Sequence, residues 1–489
     1  MKRITPGQWI TALLALGVGL RLYALLAGEP YWYDEAFTWL TAHRPMADLI
    51  TATAADVHPP LWYLLVRLFS SPAWARLLPF VFSVLGLVVY VEILTRLEIS
   101  DSAQICALAL LVLSPMQIFY SADLRMYSLL ELLVLVQIYA ILTRRYWLWG
   151  VATLAALYTH NYAVLYTAAL GLLALYREII RPVHVDDSDF GGVIIARCEE
   201  SRTRLLIGWT ALSIGLYLPW FVFATVPQMR FVSSGMHWVQ PVTFGQAANA
   251  LFAVTVTALA PKPLGPALYL GFASGLTLAV YSALTHKRGL LLAWSLGAFA
   301  VAVIGSLLVT PMILFRGLLP AAGGIYVLFS AAGDGAAPLW RRVGRGLMIA
   351  SMLMSCLFFV DVVRTGESKG VAYNGDAPQQ PFGLIAHLED TTLVTWSMYG
   401  ADNVLIDAGC PEQVAALGPV VRRALGLRTV RLEQLPASYT LVGIVGALST
   451  QCHIDALNRL VDGAQEVRTV ENEGKYYYGI WKVGSYARH

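Results

Sequence analysis

The chain has 489 residues, of which 57% are hydrophobic and only 13% charged, against about 25% charged in soluble domains, and its mean hydropathy is +0.61. So few charges cannot cover a water-facing surface of this length, which excludes a soluble enzyme, a disordered chain and a collagen-like repeat. The formal net charge is +3 with no basic run resembling a nucleic-acid footprint, and five cysteines make neither a disulfide framework nor a zinc spacing.

A helix that crosses about 30 Å of hydrocarbon needs about 20 mostly apolar residues. The N-terminal stretch opens with Lys2 and Arg3 before an apolar run, and no small-residue cleavage site comes after it, so it reads as a retained first span. Eleven spans are predicted, at 8–27, 74–95, 103–120, 127–143, 147–159, 161–176, 205–226, 265–285, 290–310, 317–332 and 346–363. Basic residues follow every second span: Lys2 and Arg3, Arg96, Arg144 and Arg145, the arginines from 177 to 204, Lys287 and Arg288, and Arg341, Arg342 and Arg345. The positive-inside rule makes these connections cytoplasmic. The alternate connections, containing PYWYDEAFTW, SADLRMY, YTHNY, VPQMRFVSSGMHW and TPMILFRG, then face outward.

Two stretches do not fit as crossings. Pro59–Phe69 is too short to cross and carries Arg67 beside Leu, Trp and Phe, as an interfacial helix would. Residues 244–261 read as a re-entrant or surface-lying helix, because a full span there would break the charge parity. From about Gly366 the apolar runs shorten to strand length and alternate with helix-like segments, which predicts a small α/β domain. Cys410 and Cys452 would pair there if their geometry permits, and free buried thiols are the equal alternative. The fold class is therefore a polytopic α-helical membrane protein with about eleven transmembrane helices and a small C-terminal α/β domain outside. Its parts are a transmembrane domain over 1–364, with a first outward loop at 28–73, and an exported domain over 365–489.

Chemistry-bearing residues crowd the outward connections. Asp34 and Glu35 are adjacent, between Tyr31-Trp32-Tyr33 and Phe37-Thr38-Trp39, and His58 comes next in DVHPPLWYLL. Such aromatics also serve as interfacial anchors. Set around carboxylates, however, they make a bed for a sugar face, and a low local dielectric brings a carboxylate toward general-base range. An extended stretch would send Asp34 and Glu35 to opposite sides. Only one of the two can then face a reacting atom squarely, and the other would orient the loop, a metal or the acceptor. The second cluster is Ser121, Asp123, Arg125 and Tyr127, and the third is His160 with Asn161. Arg76 opens the second span, and Arg316 lies between Pro311 and Pro320. Outward arginines run against the positive-inside bias and call for an anion, and phosphate suits the guanidinium fork.

In order, the strings YWYDEAFTW, DVHPPLWYLLVRLF, ARLLPFVFSVLGLVVY, LSPMQIFYSADLRMYSLL, LYTHNYAVL and TPMILFRGLLP resemble a GT-C superfamily glycosyltransferase. The similar branch is that of bacterial protein O-mannosyltransferases and lipid A aminoarabinose transferases. The resemblance implies a catalytic Asp34 and Glu35, and a donor phosphate held by Arg76, Arg125 and Arg316. It also implies substrate contacts from Tyr33, His58, Asp123, Tyr127 and His160. The chain departs from the pattern at Asp123, where Glu is common, and at Arg316-Gly317, where Arg-Tyr is common.

The implied activity is transfer of a sugar from a polyprenyl-phosphate-linked donor to a lipid, protein or glycan acceptor. It would run with inversion, on the outer face of the bacterial inner membrane, with membrane lipids and no nucleic acid as further partners. No cofactor is implied for certain, and a divalent metal near Asp34, Glu35 and His58 stays open. The competing reading is a transporter or lipid-linked-sugar flippase, which needs polar residues along its midspans. The midspans here are nearly free of charge, with Arg21 and Glu131 the main exceptions.

Overall fold

The computed structural model describes residues 5–28, 31–180, 189–235, 242–256, 265–286, 288–309, 311–335, 338–365, 385–387, 403–407, 419–431, 434–436, 439–445, 451–461, 464–472 and 476–483. Cys410 lies outside them. The chain forms two compact units. The first comprises residues 1–27, 57–62 and 71–361, and the second comprises 28–56, 63–70 and 362–489. The first unit ends at residue 361, and most of residues 28–73 group with the second unit.

The first unit is helical. Six of its described helices are long and apolar enough to cross a membrane: Pro6–Leu26, Pro72–Leu94, Ser201–Arg230, Gly289–Leu308, Phe315–Ala332 and Arg341–Asp361. Tyr127–Thr143 and Asp101–Leu113 are apolar but shorter. The latter stops at Ser114, because Pro115 opens a separate helix, Pro115–Tyr120, as its first residue. Phe244–Thr255 is only 12 residues long, about 18 Å at 1.5 Å per residue, too short to cross. The connection before it is partly helical, since Val226–Gly235 continues the preceding helix through VPQMR.

Phe315–Ala332 is the core of this unit, 78% buried against 17% for Pro6–Leu26. Small residues let its neighbours close in: a Cβ on Gly324 would lie 2.9 Å from the Ser295 backbone nitrogen, so only glycine fits that crossing. Polar side chains close the helix contacts. Tyr90 donates to Gly323 O at 3.0 Å, Trp294 Nε1 to Pro320 O at 2.8 Å, and Tyr326 to Thr255 O at 2.6 Å. The two midspan charges are buried and satisfied. Arg21 Nε donates to Ser83 Oγ at 2.7 Å, and Glu131 accepts from Gln117 Nε2 at 2.7 Å. Outer faces carry exposed Val81, Leu85, Val88, Leu270 and Leu278, suited to acyl chains rather than water.

The second unit contains a six-stranded mixed sheet. Its strands are β1 (Ile385–His387), β2 (Asn403–Asp407), β3 (Thr429–Arg431), β4 (Tyr439–Val445), β5 (Gln465–Asn472) and β6 (Tyr476–Val483), in the order β3-β2-β1-β4-β6-β5. The β1–β2, β2–β3 and β1–β4 pairs are parallel, with Ile385 opposite both Asn403 and Thr440. The β4–β6 and β5–β6 pairs are antiparallel, with a bulge between Glu466 and Arg468. Val404, Ile406, Tyr439 and Leu441 form a core with Ala456 and Leu457 of the amphipathic helix Gln451–Val461. The same unit holds helices Tyr33–Ala42 and Met46–Ala55, and the latter packs against Pro419–Ala424.

Candidate active site

In the second unit, Asp34 and Glu35 stand in the first turn of helix Tyr33–Ala42 rather than in an extended stretch. Acidic residues are favoured there because the helix N-terminus carries partial positive charge. Neighbours on a helix point about 100° apart, so the two carboxylates still diverge: Asp34 is half-buried and Glu35 fully buried. Tyr33 stacks on Phe37 with ring centroids 6.3 Å apart, and Phe37 meets the Tyr63 ring edge-on at 6.2 Å. Arg67 braces the end of this helix, donating from Nη1 to the carbonyls of Ala42, at 3.0 Å, and Arg44.

In the first unit, the loop 121–126 joins helices Pro115–Tyr120 and Tyr127–Thr143 and carries Asp123 and Arg125, both buried. Its ends are pinned together. Tyr120 and Tyr127 pack with centroids 4.7 Å apart, and Ser128 Oγ donates to Tyr120 O at 2.7 Å. The His-Pro-Pro-Leu segment docks on this loop: Trp62 Nε1 donates to Leu124 O at 3.3 Å, and Arg125 Nη2 approaches His58 Nε2 at 3.4 Å. A guanidinium only donates, so His58 Nε2 is the acceptor.

A cavity of about 350 Å³ opens beside these residues. It gathers His58, Tyr127, His160 and Arg316 from four separate stretches of the sequence. His58 and His160 meet edge-to-face at 5.1 Å, and Tyr127 lies 5.6 Å from His160. The Tyr162 main-chain N–H donates to His160 Nδ1 at 3.0 Å, which leaves the proton of the neutral ring on Nε2. Burial, then His58, Arg125 and Arg316, hold the His160 imidazole well below its ordinary value. Arg125 and Arg316 thus act on one ring, and the cavity is cationic at this end. Arg76 is buried at the opening of helix Leu77–Leu94, and neither it nor Asp34 is among the residues that line the cavity. Among the described residues, no group of three or more His, Cys, Asp or Glu side chains is arranged to hold a metal ion.

Arg316 sits in the 3-10 turn Phe315–Leu318. The glycine after it has a physical cause: a Cβ on Gly317 would lie 2.6 Å from the Tyr162 ring. That ring is fixed through its hydroxyl, which donates to Met312 O and accepts from Leu314 N at 2.6 Å. Tyr162 was missed by motif reading, although its place in YTHNY beside His160 was a signal. Gln228, Thr225 and Met312 also line the cavity. The place of Thr225 and Gln228 had no sequence signal, because a π-turn at Phe221–Thr225, just after Pro219, shifts that helix out of the regular α-helical register.

A helical unit with six described helices long and apolar enough to cross a membrane, and a cationic cavity where its connections meet, defines a polytopic membrane protein. The chain has the fold of ArnT from Cupriavidus metallidurans: the apo crystal structure aligns over 96% of this chain and 97% of that one, with a TM-score of 0.55 and 13% identity. The undecaprenyl-phosphate-bound crystal structure of the same protein aligns over 96% and 98%, with a TM-score of 0.52 and 13% identity. The arabinosyltransferase EmbB from Mycobacterium smegmatis aligns over 82% of this chain and 44% of that one, with a TM-score of 0.44 and 16% identity. No family model and no curated protein sequence matches.

Proposed function

We propose that this protein is a membrane glycosyltransferase that moves a sugar from a polyprenyl-phosphate donor to an acceptor on the outer face of the bacterial inner membrane. The observation that carries the reading is the cavity in the membrane unit, where apolar walls meet His58, His160 and Arg316, with Arg125 against His58. Apolar walls suit a donor whose tail stays in lipid, and the cationic end suits its phosphate. The ArnT fold supports the same class, and that protein has been seen with undecaprenyl phosphate bound.

In this reading eleven helices cross the membrane, and the unit containing the sheet lies outside. Asp34 accepts the proton of an acceptor hydroxyl or amine as that atom attacks the anomeric carbon. The sugar–phosphate bond breaks on the opposite side, and the lipid phosphate leaves with the electron pair. Single displacement inverts the anomeric centre. Arg76, Arg125 and Arg316 hold the leaving phosphate, whose growing charge they stabilise more than that of the bound donor. Glu35 orients the helix that carries Asp34. Tyr33 and Tyr127 offer ring faces to sugar, and Asp123 sets the Arg125 loop.

The test is the lipid fraction of cells lacking this protein. A polyprenyl-phosphate sugar should accumulate there, and purified protein should consume it when supplied with an envelope acceptor extract. An unchanged lipid-linked sugar pool, with no consumption in vitro, rejects the reading.

A further inference from the structure

His160 joins helices Tyr146–Thr159 and Ala163–Ile180 and is itself extended, with φ −157° and ψ 138°. Its N–H donates to Ala156 O at 3.0 Å and its carbonyl accepts from Ala163 N at 2.9 Å, so the main chain is tied on both sides. On the ring, the Tyr162 main-chain N–H occupies the Nδ1 lone pair at 3.0 Å. A neutral imidazole has one proton, which is then on Nε2. Among the described residues, none accepts a hydrogen bond from this Nε2. Nor is Nε2 one of the buried side-chain atoms sealed in protein without a partner. The ring lines the cavity, so the Nε2–H opens on it.

Three rings hold the imidazole in place. The His58, Tyr162 and Tyr127 rings stand at 5.1, 5.4 and 5.6 Å from it, centroid to centroid. Turning the ring over would set a carbon against the Tyr162 N–H and leave that buried donor unpaired, which is costly. Burial and the neighbouring His58, Arg125 and Arg316 disfavour a second proton, so the ring stays neutral. A fixed, neutral N–H thus faces a cavity whose end is cationic. No Asp or Glu is among the residues that line this cavity, so an anionic acceptor for the N–H has to come with a ligand.

We propose that His160 is a neutral hydrogen-bond donor to the phosphate of the lipid-linked donor, its Nε2–H aimed by the bond from the Tyr162 main chain to Nδ1. The inference rests on the lipid-phosphate-sugar reading above and deepens it. When the bond from the anomeric carbon to oxygen breaks, its electron pair stays on that oxygen. The phosphodiester becomes a monoester with one more negative charge, spread over the phosphate oxygens. An N–H already fixed on one of them strengthens as the charge grows and needs no reorganisation. The proton stays on Nε2, since giving it up would leave an imidazolate. The guanidinium groups supply charge, and the imidazole supplies direction.

The experiment uses full-length protein in nanodiscs and compares its affinities for undecaprenyl phosphate and for undecaprenol, which lacks the phosphate. Two variants separate the two ring nitrogens. His160→Asn keeps an acceptor where Nδ1 was and has no donor at the Nε2 position. His160→Gln loses that acceptor and places an amide N–H near the Nε2 position. His160→Asn should weaken undecaprenyl phosphate at least about tenfold relative to undecaprenol, as for a hydrogen bond to a charged group, and His160→Gln should recover most of the loss. A ring that only holds the loop through Nδ1 gives the reverse order. That order, unchanged affinities, or equal loss for both lipids overturns the assignment. A second readout needs no variant: nitrogen-15 NMR of the wild-type histidines, with His160 assigned from its contact with the Tyr162 N–H. The ring should be neutral with its proton on Nε2, and this resonance should shift with undecaprenyl phosphate and not with undecaprenol. A proton on Nδ1, or no shift, overturns the assignment even where a variant fails to fold. Wild-type protein that binds undecaprenyl phosphate no better than undecaprenol rejects the glycosyltransferase reading itself, and the inference with it.

Discussion

Gly317→Ala probes the packing that holds Arg316. The added Cβ would stand 2.6 Å from Cδ1 and Cε1 of Tyr162 and 2.7 Å from Cγ. Carbon atoms pack best at about 3.5–4.0 Å, so the overlap is about 1 Å over three ring atoms. The ring cannot simply retreat. Its hydroxyl is held by Met312 O and Leu314 N, and the His160 ring lies 5.4 Å from it, edge-to-face. Overpacking of this kind costs about 1–3 kcal/mol. Part of that cost should appear as a lower melting temperature of the full-length protein. The rest should appear as weaker undecaprenyl phosphate binding, because the turn Phe315–Leu318 must carry Arg316 away from the cavity. Tyr162→Leu, combined with Gly317→Ala, should recover part of the loss, since neighbours in contact are not additive. Wild-type melting and binding for Gly317→Ala, or strict additivity in the double variant, would refute the packing argument.

Four further outcomes are expected. Asp34→Asn should lower transfer by at least the roughly 10²–10⁴-fold typical of general-base loss, with Glu35→Gln retaining more activity, and full transfer by purified Asp34→Asn protein ends the base assignment. Lysine at Arg76, Arg125 or Arg316 keeps the charge and loses the bidentate fork, so donor affinity should fall in each case while the melting temperature holds; an unchanged affinity removes that residue from the clamp. A phosphatase fused after His489 should be active only when exported, and activity confined to a cytoplasmic reporter overturns the topology. Burial, partly offset by the hydrogen bond to Asn403, pushes the His387 imidazole down to about 4. The unfolded chain then binds a proton that the fold refuses, so stability is present above the ordinary value near 6.5 and lost as pH falls from there toward 4. Melting of the full-length protein between pH 7 and 5 should show this slope, and His387→Gln should flatten it.

The sequence by itself determined the environment. Hydropathy and charge are summed along the chain, so a membrane protein, the run of spans before residue 364 and the change of composition after Gly366 could be read without coordinates. The ionisable clusters beside the spans were legible for the same reason: an ionisable group beside an apolar run is costly wherever the chain folds. What the sequence left open was everything set by residues distant along it. The carboxylate pair is helical because the buried face of Tyr33–Ala42, with Ala36, Phe37 and Ala42, prevails over the extended reading of a loop. His58, Tyr127, His160 and Arg316 share one cavity because four connections converge, and no local pattern encodes that convergence. Gly317 looked like a lost aromatic until the Tyr162 ring was found 2.6 Å from where a side chain would begin. Gln228 looked like a loop residue until a π-turn rotated it inward. Burial along a single segment is a local property, whereas a cavity is a relation between segments, and only tertiary packing creates it.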